Sequence, residues 1–236
     1  MSTALYILTG TSRGLGHELA RQLLARPCQM LTLARHAHAG LADAATASGA
    51  TLTQWPVDLE DSGDCAARLE AWLKGVNHQN ITSATLINNA GLVGHVGPLE
   101  QMATGGLSAV LRVNLEAPMV LTAAFLRATQ DWEGARKVLN ISSGAGRHAV
   151  AGWAAYCASK AGLDQFARVT ALDEARKPHG AKIVALAPGV IDTDMQAQLR
   201  AASAAGFPDH ARFVQLHDSG ELTSPQQAAT QVLSFL

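Results

Sequence analysis

An α/β fold, read as a single-domain doubly wound parallel sheet flanked by helices, is what this chain predicts, and three observations predict it. Short apolar runs recur along the chain and alternate with stretches of helical periodicity. Several of these runs are apolar on both faces, as strands inside a parallel sheet are. A glycine-rich turn, GTSRGLG (10–16), follows the first run directly and opens into an amphipathic stripe. Strands alternating with helices imply right-handed βαβ units.

In chain order, strands are expected at LYIL (5–8), MLTLA (30–34), TLTQW (51–55), TLIN (85–88), KVLNI (137–141) and KIVALA (182–187). Leu15, Leu19, Leu23 and Leu24 form one helical stripe, and Leu107, Val110, Leu111, Leu115 and Met119 form another. Ala154, Ala158, Ala161, Leu163 and Phe166 suit a third, tightly packed helix. Pro118 lacks the N–H that would bond the Asn114 carbonyl, so a kink is expected there, leaving that carbonyl open to a water. The segment 195–222, with Gly206 and Pro208, reads as a substrate lid. No repeat or linker divides the chain, so 1–236 reads as one domain.

Composition narrows the function classes. The 236 residues carry a formal net charge of −1, which gives no reason to expect nucleic acid or an anionic membrane as a partner. Arg112, Asn114, Glu116 and Pro118 interrupt the apolar stretch 107–126, so no membrane span is expected. The run ALYIL near the start is too short for a signal-peptide core. Three cysteines without CxxC spacing fit a reducing cytoplasm, and nine scattered histidines offer no metal-ligand spacing. No metal is expected.

Gly10, Gly14 and Gly16 stand between a strand and a helix, where glycine allows a tight turn and close approach to a pyrophosphate. The second strand then ends in Ala34 and Arg35, with no acidic residue to meet a free ribose 2′-hydroxyl. With Arg13 as a second cation, the pattern favours the 2′-phosphate of NADP(H) over NAD. The alternative for both arginines is a solvated surface position.

Tyr156 and Lys160, four residues apart, share one helix face. A cation about 4 Å from a phenol, helped by an oxidised nicotinamide, supplies roughly the 4 kcal/mol that brings a tyrosine toward neutrality. Tyr156 is therefore a candidate acid in carbonyl reduction, with an ordinary surface pair as the alternative. Ser142 and Ser143 end the fifth strand, where a hydroxyl can steady a developing alkoxide or simply start a turn.

Together these residues resemble the short-chain dehydrogenase/reductase family, which has a Rossmann fold, from Leu5 to about Met195. The resemblance implies a catalytic set of Asn114, Ser143, Tyr156 and Lys160, with Ser143 chosen because it stands thirteen residues before the tyrosine. It implies cofactor contacts from Gly10, Ser12, Arg13, Gly14, Leu15 and Gly16, from Ala34 and Arg35, and from Asp58 and Leu59 beside the adenine. Asn89, Ala90 and Gly91 of NNAG belong to the same set, as do Tyr156 and Lys160. So do Pro188, Gly189, Ile191 and Thr193 of APGVIDTDMQ, the last two at the carboxamide.

Within the family, LINNAG, NISS, GWAAYCASK and APGVIDTDMQ look most like the sepiapterin and benzil reductases, implying NADPH-dependent reduction of a small ketone or dicarbonyl. Phe207 and Phe213 suit an apolar or aromatic substrate; His148, Trp153 and Met195 either line the same pocket or hold core or surface positions. No acidic pterin anchor in a final strand is visible before Leu236, so a pterin is not expected. A homodimer through helices 107–127 and 153–177 is expected in preference to a tetramer. The alternatives are a 3-oxoacyl thioester or sterol reductase of the same fold, or a non-catalytic NADP-binding regulator.

Overall fold

The apolar runs pair into one sheet in a computed structural model that describes residues 3–236. Strands β1 (Thr3–Thr9), β2 (Gln29–Ala34), β3 (Thr51–Pro56), β4 (Ile81–Asn88), β5 (Ala135–Ile141) and β6 (Lys182–Leu186) are all parallel, in the order β3-β2-β1-β4-β5-β6. Each run expected from the sequence falls on one of these strands, and β4 begins earlier, at Ile81. The helices are α1 (Gly14–Leu23), α2 (Ala39–Ser48), α3 (Ser62–Lys74), α4 (Thr104–Leu111), α5 (Ala117–Ala128), α6 (Ala154–Glu174), α7 (Asp194–Arg200), α8 (His210–Asp218) and α9 (Pro225–Leu233).

Alternation along the strands divides the core into two layers. Leu5 and Ile7 of β1 join Leu69 and Leu73 of α3 and Leu121 and Phe125 of α5. Leu8, on the opposite face of β1, joins Leu19 of α1, Leu41 of α2 and Val232 of α9. With β1 flanked by β2 on one side and β4 on the other, the order reverses there. A ligand crevice opens at the carboxyl ends of strands at such a switch point.

The proline in the second stripe acts differently from the expected kink. Residues Arg112–Glu116 form a π-turn between α4 and α5, and the Ala117 N–H bonds the Arg112 carbonyl. Pro118 then falls in the first turn of α5, where a missing N–H is tolerated. Widening the turn by one residue accommodates the lost donor and sets Asn114 inside the bulge. The run 104–128 is long and apolar enough to cross a membrane by length and composition alone, which the interrupting polar residues had argued against; half of its apolar window is buried in the protein.

Candidate active site

Glycine is required at the first strand end by sterics. Gly10 has φ +74°, and a Cβ there would stand 2.8 Å from Ala90 Cα. A Cβ on Gly16 would run into the Gly10 carbonyl and Asn89 Nδ2. The turn, α1 and the NNAG segment are thus pressed together. Asn89 Nδ2 donates to the carbonyls of Thr9 (2.9 Å) and Gly10 (3.2 Å), while the Asn89 and Ala90 N–H groups both donate to Thr9 Oγ1 at 3.0 Å. Asn89, expected as a cofactor contact, therefore uses its amide as a strut between β1 and β4. Thr9, which the sequence reading passed over, is the other half of that strut.

Helix α1 begins at Gly14 with no side-chain cap and no acidic residue in its first turn. Its leading N–H groups face the turn and suit a phosphate. Leu15 and Leu59 put their side chains into the core, so only their backbones can meet a ligand. Asp58 accepts from the Glu60 N–H at 3.0 Å and caps a short 3-10 turn. At the end of β2, Ala34 is buried and Arg35 exposed, and no carboxylate occupies the strand end. Arg13, expected as a second cation, is exposed and paired with Asp194 at the start of α7. Thr193 lies against Gly14, 3.3 Å from the position of a Cβ there, and past Gly189 (φ +86°) Ile191 bridges to Thr223. A dinucleotide fits these features: uncapped helix, glycine cradle and carboxylate-free strand end.

Tyr156 and Lys160 occupy adjacent turns of α6. Lys160 is buried and donates to the Ile141 carbonyl at 2.8 Å, at the end of β5. Its Nζ stands 5.8 Å from the centre of the Tyr156 ring. Gly91 faces both Lys160 and Asn114: a Cβ there would lie 3.7 Å from Nζ and 3.5 Å from Asn114 Oδ1. Asn114 is fully buried; its Oδ1 accepts from the Leu92 N–H (2.7 Å), and its Nδ2 donates to the Leu92 carbonyl (2.8 Å) and to Ser159 Oγ (3.1 Å). Ser159 in turn donates to the Tyr156 carbonyl at 2.7 Å. Ser159 was missed in the sequence, where only its i+3 spacing from Tyr156 could have marked it.

Of the two serines, Ser143 reaches the tyrosine. Its hydroxyl accepts from the Ala145 N–H at 3.2 Å and interacts with the Tyr156 side chain, whereas the Ser142 hydroxyl is buried without a partner. Burial pushes the Tyr156 phenol above its ordinary value, and the Ser143 contact only partly offsets this. The protein's own groups thus do not lower the tyrosine as its lysine was expected to. Burial dominates the lysine too, lowering Lys160 to about 8 against the opposing pull of Asp164.

An aromatic cap covers Tyr156. Trp153 meets its ring edge-on at 5.4 Å and stacks on Phe207 at 5.4 Å, while Phe207 and Phe213 stack at 5.5 Å. Val93, Ala145 and Leu199 complete the cluster, and Met195 packs against it. His148 is exposed at the surface, outside the cluster.

Known proteins share this chain's pattern. Residues 4–204 match the short chain dehydrogenase family. A benzil reductase ((S)-benzoin forming) of Bacillus cereus is 36% identical over 230 residues, covering 98% of this chain and 92% of the relative. Sepiapterin reductase of Bos taurus is 30% identical, covering 100% and 90%. The crystal structure of a short-chain dehydrogenase/reductase from Burkholderia vietnamiensis superposes with a TM-score of 0.70 at 36% identity, covering 86% of this chain and 92% of that one. With the Rossmann-type sheet and the glycine turn at its switch point, the match makes this chain a member of the short-chain dehydrogenase family, an oxidoreductase acting on CH–OH and C=O groups.

Proposed function

We propose that the protein is an NADPH-dependent carbonyl reductase acting on a small ketone or dicarbonyl. The observation that carries this reading is the convergence of Ser143, Lys160 and the Asn114–Ser159 bridge on Tyr156 beneath an aromatic cap. When bound, NADP(H) supplies the hydride. Gly10, Ser12, Gly14, Leu15 and Gly16 would hold its pyrophosphate, and Arg35 with Arg13 its 2′-phosphate. Asp58 and Leu59 would line the adenine, Ala90 and Gly91 would follow the cofactor toward Lys160, and Pro188 and Gly189 would lead to Ile191 and Thr193 at the carboxamide.

Tyr156 donates a proton to the substrate oxygen as the carbonyl carbon is reduced. Its raised pKa keeps it protonated across the neutral range, the form a donor needs, and an alkoxide is basic enough to take that proton. Ser143 orients the same oxygen. Lys160, held by Ile141, is mostly charged below pH 8 and favours the phenolate that forms; Asn114 keeps the neighbouring turn in place.

The names of the Bacillus cereus and Bos taurus relatives support a carbonyl substrate of this size, and the aromatic cap favours an aryl one. The segment 195–222 carries Phe207 and Phe213 and serves as the lid. Exposed Met119, Val169 and Leu172 on α5 and α6 support a homodimer through those helices, and three unpaired cysteines suit a cytoplasmic setting. The test is NADPH oxidation with benzil as the probe. Tyr156→Phe should reduce kcat at least about 100-fold, and an unchanged rate, or a preference for NADH, would count against the proposal.

A further inference from the structure

We propose that the indole N–H of Trp153 determines specificity for dicarbonyls by holding the substrate's second oxygen while Tyr156 serves the first; the inference rests on the carbonyl-reductase reading above. Trp153 occupies the N-cap position of α6 without a side-chain cap bond, three residues before Tyr156. The two rings touch edge-on, with centroids 5.4 Å apart. Trp153 is buried to 6% exposure, and its Nε1 has no hydrogen-bond partner. Val93, Leu199, Phe207 and Phe213, packed into the same cluster, carry no acceptor in their side chains. A buried donor without an acceptor is unfavourable, and a ligand oxygen relieves it.

The chemistry of a 1,2-dicarbonyl matches this pairing. Its oxygens sit on adjacent carbons, a spacing that suits two donors carried by rings packed edge-on with centroids 5.4 Å apart. The reaction adds hydride from NADPH to one carbonyl carbon and the Tyr156 proton to its oxygen. The C=O π bond breaks, a hydroxyketone forms, NADPH becomes NADP⁺, and the second carbonyl is unchanged. Phe207 and Phe213 stack within the cap and belong to the segment around α7 and α8, so an aryl group of the substrate can replace a protein ring against Trp153.

A rival donor exists. Gln196, 2% exposed on the buried face of α7 beside Leu199, has neither amide atom bonded.

The experiment compares kcat/KM for benzil with that for deoxybenzoin, which keeps both rings and replaces one carbonyl by a methylene. Benzil is intrinsically more electrophilic, so the diagnostic quantity is the change in this ratio on substitution. Trp153→Phe should lower the ratio about 5- to 10-fold through benzil alone, while Gln196→Met leaves it as it is. Incorporating 3-benzothienylalanine at position 153 keeps the bicyclic shape, replaces N–H by sulfur, and should lower the ratio equally; this guards against misfolding of the phenylalanine variant. An unchanged ratio in the benzothienyl protein, an equal loss for both substrates, or a drop confined to Gln196→Met overturns the inference alone. Failure of the wild-type protein to reduce benzil overturns it together with the reading on which it rests.

Discussion

Arg13 Nη1 lies 2.6 Å from Asp194 Oδ2, an ion pair that ties the glycine turn after β1 to the first residue of α7. Both side chains are well exposed, at 61% and 64%, so the pair is worth no more than about 1 kcal/mol. A ribose 2′-phosphate reaching Arg13 competes with Asp194 for the same guanidinium. Asp194→Asn should therefore tighten NADPH binding up to about fivefold and leave NADH unchanged. Fluorescence titrations with both nucleotides check this, and an equal shift for both would place Arg13 outside the phosphate site.

Asn114 bonds both backbone groups of Leu92 and reaches Ser159 from inside the π-turn. Asn114→Leu strands the half-buried N–H and carbonyl of Leu92 together and leaves Ser159 Oγ without its donor. The expected loss is about 3 kcal/mol in urea unfolding, with kcat reduced as the turn beneath Tyr156 loosens. Ser159→Ala removes a single neutral bond at each end and should lower stability by only about 1–2 kcal/mol. Equal losses for the two variants would mean that Leu92 is held by something other than the asparagine.

These partners also mark where the sequence stopped being legible. Tyr156 with Lys160, and Gly10 with Gly16, could be read because their spacing along one turn or one helix face is local information. The six strands could be read because buried parallel strands are short apolar runs. Asn89 bracing Thr9, Asn114 gripping Leu92, and Arg13 meeting Asp194 are contacts between distant segments, and no periodicity encodes them. Pro118 announced a missing donor, but a proline alone does not say whether the helix kinks or widens into a π-turn. The height of the Tyr156 pKa was likewise hidden, because it follows from burial under Trp153 rather than from the lysine four residues on.

Lys160 sets function against stability. Burial lowers it from an ordinary 10.5 to about 8, a penalty on the charged form of about 3 kcal/mol. The unfolded chain holds this proton more tightly than the folded one, so stability rises with pH between about 8 and 10.5, and the full penalty applies below 8. Lys160→Met loses the bond to Ile141 as well as the charge, and should be inactive yet about 2 kcal/mol more stable at pH 7. That advantage should shrink as pH climbs from 8 toward 10.5. Denaturant unfolding of both proteins across this range is the measurement, and a pH-independent gap would show that the lysine is not strained by burial.

Two glycines with opposite surroundings test whether the cradle is steric. At Gly16 an added Cβ collides with the Gly10 carbonyl and Asn89 Nδ2, both fixed by the strut between β1 and β4. The backbone must move, so Gly16→Ala should cost about 2 kcal/mol or more and weaken cofactor binding with it. At Gly63, exposed in the first turn of α3, nothing lies within 4 Å of the added atom. There the substitution only restricts the unfolded chain, and Gly63→Ala should gain about 0.5 kcal/mol with nucleotide affinity unchanged. Thermal unfolding with and without NADPH separates the cases. If Gly16→Ala were as well tolerated as Gly63→Ala, the close approach of α1 to β1 and β4 would not be what shapes the phosphate turn.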